Sequence, residues 1–204
     1  METTREKVSY CIGLETGKSI KMQFSDIDLP LLLKGFQDGL ADKDPELGEE
    51  EIAQIMQALR VQIEKQQKEY IAFLSTENKR KGEEFLKENK GKPGIVTLPS
   101  GLQYKVINSG KGKSPKPLDV VTAHYKGTFI DGRVFDSSYE RDKPQTFVVN
   151  RVIPGWSEVL QLMKEGDKWQ IFVPAYLAYG EAGFGNQIGP NMTLIFEIEL
   201  VGVH

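Results

Sequence analysis

The spacing of hydrophobic positions changes about halfway along the 204-residue chain. Up to about residue 90, apolar residues recur every three to four positions, which predicts helices. The first of these contains Val8, Cys11 and Ile12. A second is predicted after Asp28, a favourable N-cap residue, with Pro30 in its first turn, where a missing N–H costs nothing. Beyond residue 90 apolar and polar residues alternate, which predicts half-buried strands.

A third and much longer helix is predicted from Glu49 to Asn89. Its first turn carries three glutamates, which complement the helix dipole. At roughly 1.5 Å per residue it would be about 60 Å long, whereas a compact body of this size has a radius of gyration of about 17 Å. We therefore expect it to link two bodies. Its apolar stripe almost vanishes from Ser75 to Glu84, which is typical of a solvated stalk.

The breaker cluster of residues 91–94 predicts a domain boundary. We expect a helical dimerisation domain over 1–48, a linking helix over 49–90 whose first turns belong to the dimer core, and a sheet-containing domain over 91–204. The amino-terminal domain has so few helices that a hydrophobic core within one chain would be only marginally stable. Oligomerisation commonly stabilises domains of this size. A long helix folded back as a hairpin at Gly82 is the alternative. The core expected between two chains comprises Ile12, Leu32, Leu33, Phe36, Leu40, Ile52 and Ile55.

The second half predicts an α+β unit in which antiparallel strands pack on one short helix. Asp131-Gly132 predicts a tight hairpin, and the helix is expected from Gly155 to Met163. Alternation predicts strands over residues 102–107, 121–126, 168–173 and 193–201.

Composition excludes several classes of function. The net charge of −3 is spread over interspersed residues, without the basic stripe that nucleic-acid binding needs. One cysteine, Cys11, with His124 and His204 offers neither an internal disulfide nor a zinc cluster. No apolar run approaches the ~18 residues of a membrane span, and the start lacks a signal-peptide pattern. We therefore predict a cytoplasmic location, with a periplasmic or cell-surface one as the alternative if a signal peptide has been removed.

Aromatic and apolar residues with few ionisable neighbours are concentrated near the loops of the second half. Each alone is most often a core residue, and composition does not separate core from pocket. The glycines at 180, 183, 185 and 189 do not fit a dinucleotide fingerprint, and His124 alternates outward, which disfavours a nucleophilic triad.

The runs HYKGTFIDGRVFDSS, VIPGW, LQLM, YLAYGEAG and IGPNMTLIFEIEL resemble FKBP-type peptidyl-prolyl cis-trans isomerases, from about Ile95 to His204. The helical runs YCIGLETGKSIK and LLLKGFQDGL further resemble the macrophage infectivity potentiator (Mip) subgroup of dimeric bacterial members. The resemblance implies an all-helical amino-terminal dimerisation domain, a long linking helix and an antiparallel twisted sheet wrapped on one short helix. It also implies isomerisation of Xaa-Pro bonds during protein folding, dimer-dependent chaperone activity, and no cofactor or metal.

Residue by residue, the resemblance implies a proline pocket with Trp156 as its floor. Tyr179 would offer its hydroxyl and Ile153 its backbone N–H to the ligand, while Arg141 and Tyr125 would hold the carboxylate of Asp136. The implied catalytic set is Tyr125, Asp136, Ile153 and Tyr179. The implied binding set is Tyr125, Phe135, Asp136, Arg141, Phe147, Val152, Ile153, Trp156, Tyr179, Phe184, Ile188 and Phe196.

The resemblance also implies partners: a second copy of the chain, proline-containing unfolded or nascent proteins, and macrolides of the rapamycin class as inhibitors. The sequence departs from the small human member at Gln145, which replaces an aromatic residue, at Phe184, which replaces a histidine, and in a shorter 149–152 segment. Two further functions compete. A binding module without catalysis is disfavoured because Trp156, Asp136 and Tyr179 are present, and a holdase built on the helices is compatible with catalysis.

Overall fold

The computed structural model describes residues 1–24 and 26–204, which form two compact units, Met1–Val61 and Gln62–His204. The first unit contains helices α1 (Thr4–Gln23) and α2 (Leu29–Leu40) and the beginning of α3 (Glu49–Asn89). Asp28 caps α2 as predicted, because its side chain accepts a hydrogen bond from the Leu31 N–H at 3.0 Å. The long helix is present with the expected bounds, whereas the domain boundaries at 48 and 90 stay predictions.

The apolar residues of the first unit are largely exposed in a single chain. Neither Thr4–Gln23 nor Leu29–Leu40 contains a buried residue. In α2, Leu33, Phe36 and Leu40 are 53%, 50% and 76% exposed. Of the expected shared core, Leu32 and Ile52 are partly buried and the rest are exposed. A single chain therefore does not bury the apolar stripe of α2.

The second unit is built on one antiparallel sheet in the order β1-β2-β6-β7-β3-β4, with β5 paired to β3. Its longest pairing joins β3 to β7, from Val121 opposite Val203 to Phe129 opposite Leu194. The strands are β1 (Val96–Thr97), β2 (Gln103–Asn108), β3 (Val120–Phe129), β4 (Val134–Ser137), β5 (Gln145–Val148), β6 (Lys168–Val173) and β7 (Leu194–Val203).

Helix α4 (Pro154–Leu160) covers one face of this sheet. Proline in the first turn is favourable because its missing N–H would have no helical partner. The helix buries Gly155, Trp156, Val159 and Leu160 against core residues such as Ile171 and Ile198, which are fully buried. The predicted α+β architecture is confirmed, although α4 ends three residues earlier than expected.

The carboxy-terminal turns of α3 pack on the sheet. Within the predicted solvated stalk, Ser75 to Glu84, Gly82 is buried against Thr193 and Asn78 donates to the Pro190 carbonyl, so that prediction is wrong for this side of the helix. Buried Asn89 donates from Nδ2 to Oε1 of Gln103 at 2.9 Å, and Gln103 donates from Nε2 to the Leu86 carbonyl at 2.8 Å. The rings of Phe85 and Phe172 lie 5.9 Å apart. These contacts use side-chain amides and a single ring from the helix, which a search for an apolar stripe does not detect.

The same packing changes the expected pattern of β2. Gln103 is only 3% exposed although alternation places it on the polar side, because α3 covers that side of the strand. Val106 and Ile107 are 41% and 49% exposed, so the far end of β2 is not half-buried as predicted.

Among the described residues, no helix combines the length and the apolar character that crossing a membrane requires.

We predict that Gly82→Ala destabilises the second unit. Alanine normally stabilises a helix relative to glycine by about 1 kcal/mol. A Cβ at residue 82 would instead lie 2.3 Å from Oγ1 of Thr193, which is overpacking of the kind that costs about 1–3 kcal/mol. Urea unfolding followed by tryptophan fluorescence reports on this unit, since both tryptophans, Trp156 and Trp169, lie in it. Thr193→Ala in the same chain should recover part of the loss, and a more stable Gly82→Ala protein would contradict the packing.

Candidate functional site

A cavity of about 320 Å³ opens between the sheet and α4. Nine of the twelve residues predicted for the binding set line it, contributed by β3, β4, β5, α4 and β7 and by the chain around them. Arg151 also lines it and was not predicted; its only sequence signal is its position next to Val152. The predicted residues that line it are Tyr125, Phe135, Asp136, Phe147, Val152, Ile153, Trp156, Tyr179 and Phe196.

Trp156 lies at the floor and is 4% exposed. The ring centroids of Tyr125, Phe147 and Phe196 each lie 5.4 Å from that of the indole, and the three rings meet the indole at 72–87°. The Tyr125 and Phe147 rings lie 5.8 Å from each other. Edge-to-face contacts of this kind are favourable because the positive ring edge meets the negative ring face. The indole Nε1 has no hydrogen-bond partner among the described residues. The floor is therefore a closely packed aromatic surface.

One wall depends on a glycine that sequence reasoning did not select. Phe135 meets Phe196 at 5.6 Å and 89°. A Cβ on Gly127 of β3 would lie 2.5 Å from Cζ of Phe135 and 3.1 Å from Cε1 of Phe196. Glycine inside a strand often marks such a close approach, and this was the available signal.

Asp136 belongs to a closed set of hydrogen bonds at the rim. Tyr125 donates from its hydroxyl to Oδ2 of Asp136 at 2.5 Å, and Arg141 donates from Nη1 to Oδ1 at 2.6 Å. Arg141 also donates from Nη2 to the Tyr125 hydroxyl at 2.8 Å. Each of the three side chains thus contacts the other two.

This arrangement sets the protonation state of the pocket. Burial raises the pKa of the Asp136 carboxyl, but the hydrogen bonds from Tyr125 and Arg141 lower it by more, so the net pKa lies below the usual value. Burial raises the pKa of both Tyr125 and Tyr179, and the hydrogen bond to Asp136 raises that of Tyr125 further, as the charge of Asp136 does that of Tyr179. At neutral pH the aspartate is therefore ionised and both phenols keep their protons.

The Tyr179 hydroxyl and the Ile153 backbone N–H, both at the pocket, have no acceptor among residues 1–24 and 26–204. Ile153 precedes α4, and its carbonyl accepts from the N–H groups of Trp156 and Ser157 at 2.9 and 3.1 Å. The pocket thus presents an apolar floor beside two donors suited to carbonyl oxygens.

The three remaining predicted residues, Arg141, Phe184 and Ile188, line an adjoining cleft of about 450 Å³. This cleft shares Phe135, Asp136 and Tyr179 with the first cavity. Phe184 stacks on Tyr179 at 5.0 Å and exchanges backbone hydrogen bonds with Ile188 at 2.8 and 3.1 Å. Phe184 and Ile188 therefore lie beside the pocket rather than inside it.

The departures noted in the sequence lie outside the floor. Gln145, the first residue of β5, pairs with Ala123 of β3 and does not line either cavity. The shortened segment forms a 3₁₀ turn, Val149–Arg151, in which Val149 is fully buried. Ser157 donates from Oγ to the Val149 carbonyl at 2.7 Å, which fixes this turn against α4.

Comparison with known proteins confirms the resemblance seen in the motifs. Residues 111–201 match the family described as FKBP-type peptidyl-prolyl cis-trans isomerase. Residues 5–106 match the family described as a domain amino terminal to FKBP-type peptidyl-prolyl isomerase. The peptidyl-prolyl cis-trans isomerase Mip of Coxiella burnetii is 41% identical over 203 residues, covering 100% of this chain and 88% of that protein. The crystal structure of FkpA from Escherichia coli superimposes with a TM-score of 0.79 at 37% identity, covering 100% of this chain and 98% of that one.

A further relative contradicts the predicted location. The protein named outer membrane protein MIP, from Legionella longbeachae, is 48% identical over 203 residues, covering 100% of this chain and 87% of that protein. The prediction of a cytoplasmic location is therefore wrong. It rested on the lack of a signal-peptide pattern and of a long apolar run, and a mature exported protein shows neither feature.

We predict that Arg141→Ala raises the pKa of Asp136. Removing the guanidinium removes one hydrogen bond and one positive charge, while the opposing effect of burial stays. Because the folded-state pKa is lowered, the pairing stabilises the fold above the unfolded pKa of about 3.9 and is lost as pH falls through the folded value. Carbon-13 NMR titration of the Asp136 carboxyl measures the change.

Arg133→Ala is the matched control for that titration, since Arg133 pairs with Asp131 at 2.8 Å outside the pocket. It should leave the titration of Asp136 unaltered. An equal response to both substitutions would mean that general charge, not the rim contact, sets the pKa.

Proposed function

Because the chain belongs to the FKBP-type peptidyl-prolyl cis-trans isomerase family, we propose that it isomerises Xaa-Pro bonds in the pocket above Trp156. The observation that carries this assignment is an apolar floor with aromatic ring edges around it, next to a paired carboxylate and two free donors. A proline ring is compact, apolar and small enough for a cavity of about 320 Å³.

The chemistry follows from the amide bond itself. Rotation about a peptide bond costs about 18–20 kcal/mol because the twisted state loses resonance. Loss of resonance also reduces charge separation, so the transition state is less polar than the planar ground state. A pocket that excludes water therefore stabilises the twisted form relative to the planar one. No bond is made or broken, so the reaction requires no nucleophile or cofactor.

The residues at the rim hold the substrate on both sides of the rotating bond. In this proposal the Ile153 N–H and the Tyr179 hydroxyl donate to peptide carbonyls flanking that bond. Tyr125 and Asp136 form the wall beside the rotating carbonyl. Because the Asp136 carboxylate already accepts hydrogen bonds from Tyr125 and Arg141, its negative charge is satisfied within the protein and does not need a donor from the substrate. A million-fold acceleration corresponds to about 8 kcal/mol, which desolvation and substrate orientation would share.

A binding module that has lost catalysis is the rival function. It would be favoured by a blocked floor or an unpaired rim carboxylate. Instead Trp156, Asp136 and Tyr179 all line the open cavity, and Asp136 is held by two partners. These observations favour the enzyme.

We further propose that the chain works as a homodimer through its amino-terminal helices and assists the folding of proline-containing unfolded or nascent proteins. The exposed stripe of α2, with Leu33, Phe36 and Leu40, supports the dimer. Two pockets in one particle raise the effective concentration of a long client at the second pocket once the first is occupied. Short peptides would gain nothing from the pairing.

We expect Tyr179→Phe to lower kcat/KM for a proline tetrapeptide by about fivefold, since one hydrogen bond contributes about 1 kcal/mol. Protease-coupled cis-trans kinetics measure the rate against an uncatalysed exchange of tens of seconds or longer. Tyr176→Phe is the matched control, because that tyrosine is 67% exposed and donates to the Ser100 carbonyl outside the pocket. It should retain wild-type activity.

Equal losses in the two tyrosine variants would contradict the assigned donor, and an inactive wild-type protein would contradict the enzyme itself. A macrolide of the rapamycin class is proposed to place its proline-like ring on Trp156 and to inhibit. In a Trp169→Phe background Trp156 is the sole tryptophan, so its fluorescence should report the binding directly.

For the dimer, we predict that Phe36→Glu gives a monomer with unchanged tetrapeptide turnover and slower catalysis of proline-limited protein refolding. A charge placed in an apolar interface is costly to bury, whereas the pocket lies in the other compact unit. Sedimentation equilibrium measures the association and refolding kinetics the consequence. Tyr70→Glu, at a residue 62% exposed in α3, is the control and should stay dimeric. A monomeric wild-type protein, or unchanged refolding catalysis by the monomer, would overturn the paired-pocket proposal.

A further inference from the structure

One loop, residues 179–193, carries three members of the predicted binding set. Tyr179 begins the loop, and Phe184 and Ile188 form its tip. The loop is closed at its base by a hydrogen bond from the Asn191 N–H to the Gly180 carbonyl at 2.8 Å. Asn191 adopts a φ of 54°, in the left-handed region that asparagine tolerates better than most residues. The position of Tyr179 therefore depends on how Asn191 is held.

Helix α3 holds the base of this loop through two side-chain amides. Asn78 donates from Nδ2 to the Pro190 carbonyl at 2.8 Å. Asn191 donates from its own Nδ2 to Oγ of Ser75 at 2.8 Å. Ser75 and Asn78 are three residues apart and thus neighbours on one side of the helix. All of these atoms belong to the compact unit Gln62–His204.

A close backbone contact fixes the same junction. Gly82, one turn after Asn78, is buried against Thr193, and a Cβ there would meet Oγ1 of Thr193 at 2.3 Å. Thr193 immediately precedes β7, which carries Phe196 of the pocket. The segment 190–193 is therefore attached to α3 on one side and to the pocket on the other.

We propose that Asn78 and Ser75 are positioning residues of the isomerase, which act on the pocket through Asn191, Gly180 and Tyr179. The inference rests on the proposed function of the Trp156 pocket. Asn191 is the connecting residue, since its side chain contacts the helix while its backbone closes the loop. Neither helix residue lines the pocket, so neither contacts the substrate.

The two parts of the pocket depend on α3 differently. Trp156 and Phe147 lie on α4 and β5, outside the loop, so the floor that receives the proline ring does not depend on Asn78. The hydroxyl of Tyr179 does depend on Asn78, because Tyr179 begins the loop. A displacement of 1 Å in a group that positions the substrate can lower the rate by up to about 100-fold. Loss of the attachment should therefore reduce turnover while macrolide binding to the floor changes less.

The decisive variant is Asn78→Asp, which preserves shape but replaces the donating NH₂ with an oxygen that cannot donate to Pro190. We expect kcat/KM for a proline tetrapeptide to fall about tenfold, with Ser75→Ala giving a smaller loss and Ser75→Thr, which keeps the hydroxyl, near wild-type values. Amide hydrogen exchange should accelerate at Asn191 and Ile188 and stay unchanged in β6. That pattern separates a local release of the loop from a general loss of stability.

Asn89→Asp is the matched control, because it makes the same change in the same helix and removes the hydrogen bond to Gln103, away from the loop. It should lower the melting temperature without lowering kcat/KM at a temperature where the protein is folded. The proposal is overturned if Asn78→Asp stays within twofold of wild type, or if Asn89→Asp loses as much activity. An inactive wild-type protein would instead refute the proposed function of the pocket, so the two failures are distinguishable.

Discussion

The close approach of α4 to the sheet at Gly155 determines where the pocket can be. A Cβ at that residue would lie 2.6 Å from Cγ1 of Val173 and 3.1 Å from Cδ1 of Leu102. Because the helix lies this near the sheet, the next residue, Trp156, is placed among the rings that rise from β3, β5 and β7. Gly127 plays the corresponding part for Phe135. Two missing side chains thus make room for the aromatic surface.

Floor and rim are held by different forces. The floor depends on packing, which is short-ranged and tolerates little change of volume. The rim depends on hydrogen bonds, because an ionised carboxylate next to aromatic rings is costly unless it is paired. Tyr125 belongs to both, since its ring packs on Trp156 and its hydroxyl binds Asp136. The reacting surface can therefore stay apolar although a full negative charge lies at its edge.

Sequence reasoning succeeded where a residue's role is expressed by its own type and spacing. Periodicity located the helices and most strands, and the motifs gathered nine residues that line one cavity. It failed where a contact joins distant polar residues. Asn78, Asn89 and Gln103 carry no apolar signal, so the docking of α3 was missed, and β5 is too short for alternation to register. Arg151 lines the cavity because the 3₁₀ turn Val149–Arg151 brings it there, and the course of that turn cannot be predicted from the residue type.

One edge of the sheet, formed by β1 and β2, belongs mostly to the segment that matches the amino-terminal family. The amino-terminal match ends at residue 106 and the isomerase match begins at residue 111. Strand β1 and most of β2 fall in the first, yet β2 pairs with β6 from Gln103 opposite Phe172 to Asn108 opposite Lys168. Leu102, just before β2, is fully buried in the core. A recombination event between residues 106 and 111 would therefore divide one sheet, so an exchange that keeps the sheet whole has to fall before β1.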